Sequence, residues 1–113
     1  MKLSSIHIST FIAVNMKFSE KVYEVCKEIP KGKISTYKEI ARKLKTKGYR
    51  AIGNALNKNP YKNVACWRVI KSDGFIGGFA RGQNNKIKIL KSEGINISKG
   101  KIINLKKQLY SFK

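Results

Sequence analysis

Residues 64–79 read VACWRVIKSDGFIGGF and set a cysteine, Cys66, between an alanine and a tryptophan just upstream of a glycine-rich aromatic loop. Three roles suit a cysteine there: a nucleophile acting as its thiolate, the wall of a pocket, or a small buried hydrophobe. The second cysteine has a plainer reading. With Phe18, Val22, Val25 and Ile29, Cys26 follows an i, i+4, i+7, i+8, i+11 stripe, one helix face turned to a core. The 2 cysteines and 1 histidine fall short of a four-ligand zinc site, and one cysteine in a helix and one in a strand-like run outline no disulfide framework. Neither metal nor cofactor is expected.

The elements around Cys66 can be drawn from pattern. Pro30 and Gly32 end the first helix, and Thr36 with Glu39 offers a capping box for a second helix carrying Ile40, Ala41 and Leu44. After the turn KTKGY, the segment RAIGNALNKN makes a third helix, which Pro60 ends at Asn59. Ala51, Ile52, Ala55 and Leu56 are expected inward; Arg50, Asn54, Asn57 and Lys58 share the opposite face. Two short helices joined by a glycine-containing turn, after a longer support helix, make a helix-turn-helix. Its third helix offers donors and acceptors for bases and phosphates, while Ala51 and Gly53 keep bulk low for the approach to a groove. The rival reading is a solvated polar face.

Downstream, NVACWRVI reads as a buried strand, KSDG as a turn and FIGGFARG as a strand and loop, together resembling a wing. NNKIKILKSEG is a fourth helix with Ile87 and Leu90 inward and Gly94 as its stop. The tail GKIINLKKQLYSFK alternates basic and apolar residues, and its structure is left open. The predicted fold class is therefore mainly α with a small β wing, a winged helix-turn-helix. Residues 1–16 are read as a short N-terminal arm and 17–113 as the DNA-binding domain.

Charge points the same way. Lys and Arg total 25 against 6 Asp and Glu, a formal net charge of +19, which concentrates polyanions at the surface. Glu20, Glu24 and Glu28 stand on the first helix, so the basic surface belongs mostly to the rest of the chain. Lysine-rich coding bias or life at high temperature is the competing explanation. The start MKLSSIHISTFIAVNMK breaks its apolar patch at Ser9 and Thr10 and lacks a small-residue cleavage site, which argues against a signal peptide. No run reaches the length of a membrane span, and a cytoplasmic, nucleoid-associated monomer is expected.

In order, GKISTYKEIA, RAIGNAL, NP, CWRVI, GFIGGF and SEG resemble the C-terminal, DNA-binding and active-site domain of the O6-alkylguanine-DNA alkyltransferases and the shorter alkyltransferase-like proteins. The resemblance spans roughly residues 18 to 95 and implies double-stranded DNA carrying O6-alkylguanine as partner. It implies a helix-turn-helix that enters the minor groove, rotates the damaged guanine out of the stack and passes its alkyl group to a cysteine, once per protein molecule. Carried over residue by residue, Cys66 is the acceptor and Glu93 the outer member of a hydrogen-bond network ending at it. Arg50 fills the vacated stack and Tyr37 helps turn the phosphate. Asn59 and Pro60 form the turn into the site, backbone groups near Val69 read the guanine edge, and Gly77, Gly78 and Phe79 wall the pocket. The chemistry is coherent, since alkyl transfer from guanine oxygen needs a soft nucleophile in line with the alkyl carbon, and a stacked base cannot offer that approach.

The sequence departs from the family's Pro-Cys-His-Arg-Val: it reads Ala65-Cys66-Trp67-Arg68-Val69. The histidine that takes the thiol proton through a water is missing, and an indole only donates. The tyrosine and serine usual after the paired glycines are Phe79 and Ala80. These losses weaken catalysis more than binding. Against them, Cys66 is retained where alkyltransferase-like proteins typically replace it, and the positive field, including Arg68, could favour the thiolate. Trp67 reads first as a wing-core aromatic and second as a wall of the base pocket; Arg68 as a brace; Glu93 as a helix-end cap or ion-pair partner. Two functions follow: a single-turnover alkyltransferase, or a damage sensor that shields the lesion and recruits another repair pathway through a protein partner. A general winged-helix regulator without lesion preference is the third.

Overall fold

The computed structural model describes residues 17–112; the expected arm 1–16 lies outside the described residues. Helix α1 (Phe18–Lys27) buries Val22, Tyr23, Val25 and Cys26, so the stripe is realised except at Phe18, which stays 36% exposed at the rim. The stripe does not include Tyr23, whose ring is buried and whose hydroxyl donates to the Ala55 carbonyl at 2.8 Å. The chain then turns at Pro30 to Lys33, with Gly32 at φ +90°.

Strand β1 (Ser35–Thr36) runs directly into α2 (Tyr37–Leu44). Thr36 Oγ1 accepts from the Glu39 amide at 3.1 Å, the cap read from sequence, but the Glu39 carboxylate turns to Arg42 at 3.1 Å and pairs with it. Helix α3 (Tyr49–Asn57) buries Ile52, Ala55 and Leu56. Arg50, Asn54, Asn57 and Lys58 are exposed as expected, and Gly53 is half-buried. Ala51 was expected inward and is exposed. At about 100° per residue it lies roughly a quarter turn from the centre of the buried arc, so it joins the outer face. Helices α1, α2 and α3 pack on one another around a single apolar cluster, the helix-turn-helix body.

The strand expected over NVACWRVI is replaced by two short elements. Cys66–Arg68 is a 3₁₀ turn, and only β2 (Val69–Ile70) is extended. The amides of Cys66 and Arg68 bond to the carbonyls of Val64 and Ala65 at 2.8 and 3.0 Å, which curls the chain before β2 begins. Strand β2 pairs in parallel with β1, Val69 opposite Ser35 and Ile70 opposite Thr36. It does not pair with FIGGF, so the wing differs from the one expected. Phe75 bridges Lys101 instead, and the Ile76 amide reaches the Gly100 carbonyl at 3.1 Å.

Helix α4 (Gln83–Ser92) stops before Gly94 at φ +92°, a conformation that suits glycine. Beyond it the tail forms a tight antiparallel hairpin, β3 (Ile97–Ser98) with β4 (Lys101–Ile102), and one turn of helix, α5 (Leu105–Gln108). It then returns beside β1: the Ile34 amide donates to the Gln108 carbonyl at 2.9 Å, and the Tyr110 amide to the Ile34 carbonyl at 2.7 Å. Tyr110 and Phe112 pack edge to face against the helical cluster. A second cluster joins Ile34, Ile70, Ile76, Leu90, Ile95 and Ile102. Because neighbours in a strand face opposite ways, Val69 enters the first cluster and Ile70 the second, and the cysteine turn is anchored at the seam.

Candidate functional site

Cys66 opens the 3₁₀ turn and is half-buried, packed against the helical cluster. It lines a cavity of about 80 Å³ with Leu56, Asn59, Tyr61, Phe79 and Arg81. Asn59 holds one wall: its Nδ2 donates to the Tyr61 and Val64 carbonyls at 3.1 and 3.0 Å, and its Oδ1 accepts from the Tyr61 amide at 2.9 Å. One side chain thus satisfies three backbone groups of the loop between α3 and Cys66. Tyr61 stacks edge to face on Tyr23 and donates to Glu20, while Arg81 lies over the Phe79 ring at 5.7 Å.

On the other side, Gly77 adopts φ +77°, and a Cβ there would meet Lys71 at 3.2 Å and the Tyr37 hydroxyl at 3.5 Å. The glycine is needed for both conformation and clearance. Burial raises the Tyr37 hydroxyl's pKa, and Tyr37 and Cys66 pack against the same helical cluster. Gly78 offers its carbonyl to Lys86 Nζ at 3.0 Å. Tyr37 also opens onto a concavity of about 370 Å³ with Lys38, Tyr49, Lys71 and Ser72. A second open concavity, about 400 Å³, is lined by Lys38, Arg42, Lys45 and Lys47, with no cysteine among its lining residues.

Trp67 and Arg68 face away from the thiol's cavity and converge on Glu93. The indole donates to Glu93 Oε2 at 3.1 Å, and Arg68 donates through Nε and Nη2 at 2.9 and 2.7 Å. Arg68 Nη1 donates to the Ile29 carbonyl at 2.8 Å, and the guanidinium lies 5.5 Å from the Trp67 ring centre. Trp67 packs on the second cluster, the core role rather than the pocket wall. Burial alone would push the Glu93 carboxyl up; hydrogen bonds from Arg68 and Trp67 and the charges of Arg68 and Lys31 hold it below its usual range. Glu93 therefore serves as the ion-pair partner of Arg68, and Arg68, whose charge was expected to favour the thiolate, is spent on that carboxylate. Val69 is buried in β2, its amide bonded to the Cys66 carbonyl.

The expected residues therefore separate into three sets. Asn59, Cys66 and Phe79 meet at the cavity, with Tyr37, Gly77 and Gly78 beside it. Trp67, Arg68 and Glu93 form a brace, and Arg50, Ala51, Asn54, Asn57 and Lys58 form the outer face of α3. Sequence reasoning missed Tyr61, Arg81 and Lys86. Lys86 carried a legible signal, since it stands four residues before Leu90 on the inward line of α4. Cys26 is fully buried, and burial pushes its thiol up to about 12. Among the described residues no group of His, Cys, Asp and Glu could hold a metal ion.

Residues 17–95 match the family of the 6-O-methylguanine DNA methyltransferase DNA binding domain. The chain belongs to this family. It is 47% identical over 81 residues to a methylated-DNA–protein-cysteine methyltransferase of Sulfolobus acidocaldarius, covering 71% of this chain and 51% of that protein. A protein of the same name from Methanosarcina barkeri is 44% identical over 71% of this chain and 52% of its own length. The chain thus spans about half the length of these curated relatives. Among solved structures, Atl1 of S. pombe in complex with damaged DNA containing O6-carboxymethylguanine superposes with a TM-score of 0.75 at 34% identity, covering 85% of this chain and 99% of Atl1. OGT of Mycobacterium tuberculosis in complex with DNA superposes at 0.66 and 34% identity, over 71% of this chain and 50% of OGT. The match over residues 17–95 spans the helix-turn-helix, the Asn59-Pro60 turn and the cysteine turn. No helix among the described residues is long and apolar enough to cross a membrane.

Proposed function

We propose that this chain binds duplex DNA through the outer face of α3, takes an extruded O6-alkylguanine at the Cys66 cavity and accepts its alkyl group on the Cys66 sulfur. The observation that carries this reading is the half-buried thiol lining a cavity between the Asn59-braced loop and Phe79. The thiolate attacks the alkyl carbon, an S–C bond forms, the C–O6 bond breaks, and the guanine leaves as an anion that takes up a proton. Arg50, at the start of α3, fills the stack, and Tyr37 meets the phosphate of the rotated nucleotide. The net charge of +19 supplies the sequence-independent part of binding.

A second reading has its own support. Trp67 occupies the hydrogen-bond position on Glu93, so no imidazole stands between that carboxylate and the thiol, and Atl1 is matched over 99% of its length. In this reading the protein shields the lesion and a partner completes repair.

Intact-protein mass spectrometry after incubation with a duplex carrying one O6-methylguanine separates the two. One added methyl group, mapped to Cys66, supports transfer. Lesion-selective binding without added mass supports the sensor, and equal affinity for damaged and undamaged duplex counts against both. Arg50→Ala is expected to weaken binding to the damaged duplex.

A further inference from the structure

The cavity beside Cys66 carries charge of one sign. Lys62, from the loop that Asn59 braces, and Arg81, from the loop that leads into α4, both line it, and no acidic side chain does. Leu56, Pro60 and Phe79 make the lining near the sulfur otherwise apolar. Both cationic residues are exposed, and among the described residues neither enters an ion pair. The neighbouring carboxylates are engaged elsewhere: Glu20 accepts from Tyr61, Glu93 from Arg68 and Trp67, and Asp73 from the Phe75 amide. The Arg81 guanidinium lies 5.7 Å from the centre of the Phe79 ring. A guanidinium held over an aromatic face still presents its fork of N–H donors, which matches a carboxylate or a phosphate. An uncharged alkyl group gives these two cations nothing to meet.

We propose that Lys62 and Arg81 make this cavity selective for O6 adducts that end in a carboxylate, of which O6-carboxymethylguanine is the simplest, over neutral ones. The inference deepens the reading of the cavity as the lesion site, and its transfer step rests on Cys66 being the alkyl acceptor. In such an adduct the carboxylate is bonded directly to the carbon that the sulfur attacks. A methylene placed at Cys66 therefore brings the carboxylate into the space that Lys62 and Arg81 line.

The cations matter most during transfer. The Cys66 thiolate attacks the methylene carbon, an S–C bond forms and the C–O6 bond breaks. The electron pair leaves with the guanine, which takes up a proton in place of the one the thiol gave up, and the product is S-carboxymethylcysteine. Thiolate, carboxylate and departing guanine anion share one small space in that step, where like charges repel far more strongly than in bulk water. Lys62 and Arg81 offset that repulsion. A methyl adduct brings one negative charge fewer and depends on them less. Phosphates of the duplex offer the same oxyanion chemistry, and the comparison of charged with uncharged adducts separates the two sources.

The test is equilibrium binding in Cys66→Ser, which removes the acceptor, to duplexes that differ only in one base: O6-carboxymethylguanine or its uncharged amide, O6-carbamoylmethylguanine. The carboxymethyl duplex is expected to bind about tenfold more tightly than the amide duplex. Adding Lys62→Gln and Arg81→Gln is expected to bring that ratio close to one. Contacts to phosphates change both affinities together and cancel in the ratio. A ratio near one before these substitutions overturns the proposal. So does a ratio that survives them while both affinities fall, which assigns the two cations to the DNA backbone. Intact-protein mass spectrometry of the parent with the carboxymethyl duplex reads the acceptor step separately. One carboxymethyl group mapped to Cys66 supports transfer, and the expected ratio with no added mass keeps the carboxylate site and overturns the acceptor reading alone.

Discussion

Cys26 and Cys66 touch the same apolar cluster, yet they occupy different chemical environments. Cys26 lies in the regular backbone of α1, fully buried in that cluster, and its thiol is pushed up to about 12 by burial. Cys66 stands where the backbone is pulled out of regular structure, by Asn59 on one side and by the Arg68–Glu93 pair on the other. The pull exposes the sulfur to a cavity without loosening it. Reactivity here follows from what the flanking side chains do to the chain, since both residues carry the same group.

The largest expected contrast is in covalent chemistry. Cys66→Ser should lose all alkyl uptake from damaged duplex and all thiol labelling of the native protein, whereas Cys26→Ala should keep both. If native Cys26 labelled as fast as Cys66, the distinction between the two environments would collapse. Next comes the brace. Arg68→Ala leaves the Glu93 carboxylate, whose side chain is 8% exposed, with the Trp67 indole as its hydrogen-bond donor, and should cost about 1.5–3 kcal/mol in urea denaturation.

The same pair predicts an acid limb. The folded Glu93 carboxyl lies below its usual 4.5, so its contribution is complete above that value and is lost as pH falls through it toward the folded value. Glu93→Gln should therefore have a flatter stability profile below about pH 4.5 than the parent. Asn59→Ala removes three hydrogen bonds from the loop and should cost about 1–3 kcal/mol. It should also change the Cys66 labelling rate while Cys26 remains unlabelled. The smallest effect is expected from Thr36→Ala, which uncaps α2 and should cost about 1 kcal/mol by thermal or urea unfolding without altering the labelling of either cysteine.

Periodicity and punctuation in the sequence were enough to determine the helix-turn-helix. The stripe through Val22, Val25, Cys26 and Ile29, the Thr36 cap, the inward set Ile52, Ala55 and Leu56, and the stop at Gly94 are all local features, each decided within a few residues. The ordered motifs around Cys66 determined the family, and the excess of lysine determined the sign of the field. What only the tertiary structure decided depends on partners far apart in the chain. The curl of Cys66–Arg68 replaced an expected strand because Asn59, Ile29 and Glu93 hold it. The β pairing moved to β1 and to residues 100–102 because the tail folds back over Ile34 and Phe75. Glu93 became a brace because Trp67 and Arg68, 26 and 25 residues away, donate to it. Lys86 went inside because α4 packs on the cysteine turn, a burial that composition alone would assign to almost any other residue type. Local pattern encodes which face is buried; only the folded chain determines which polar groups meet there.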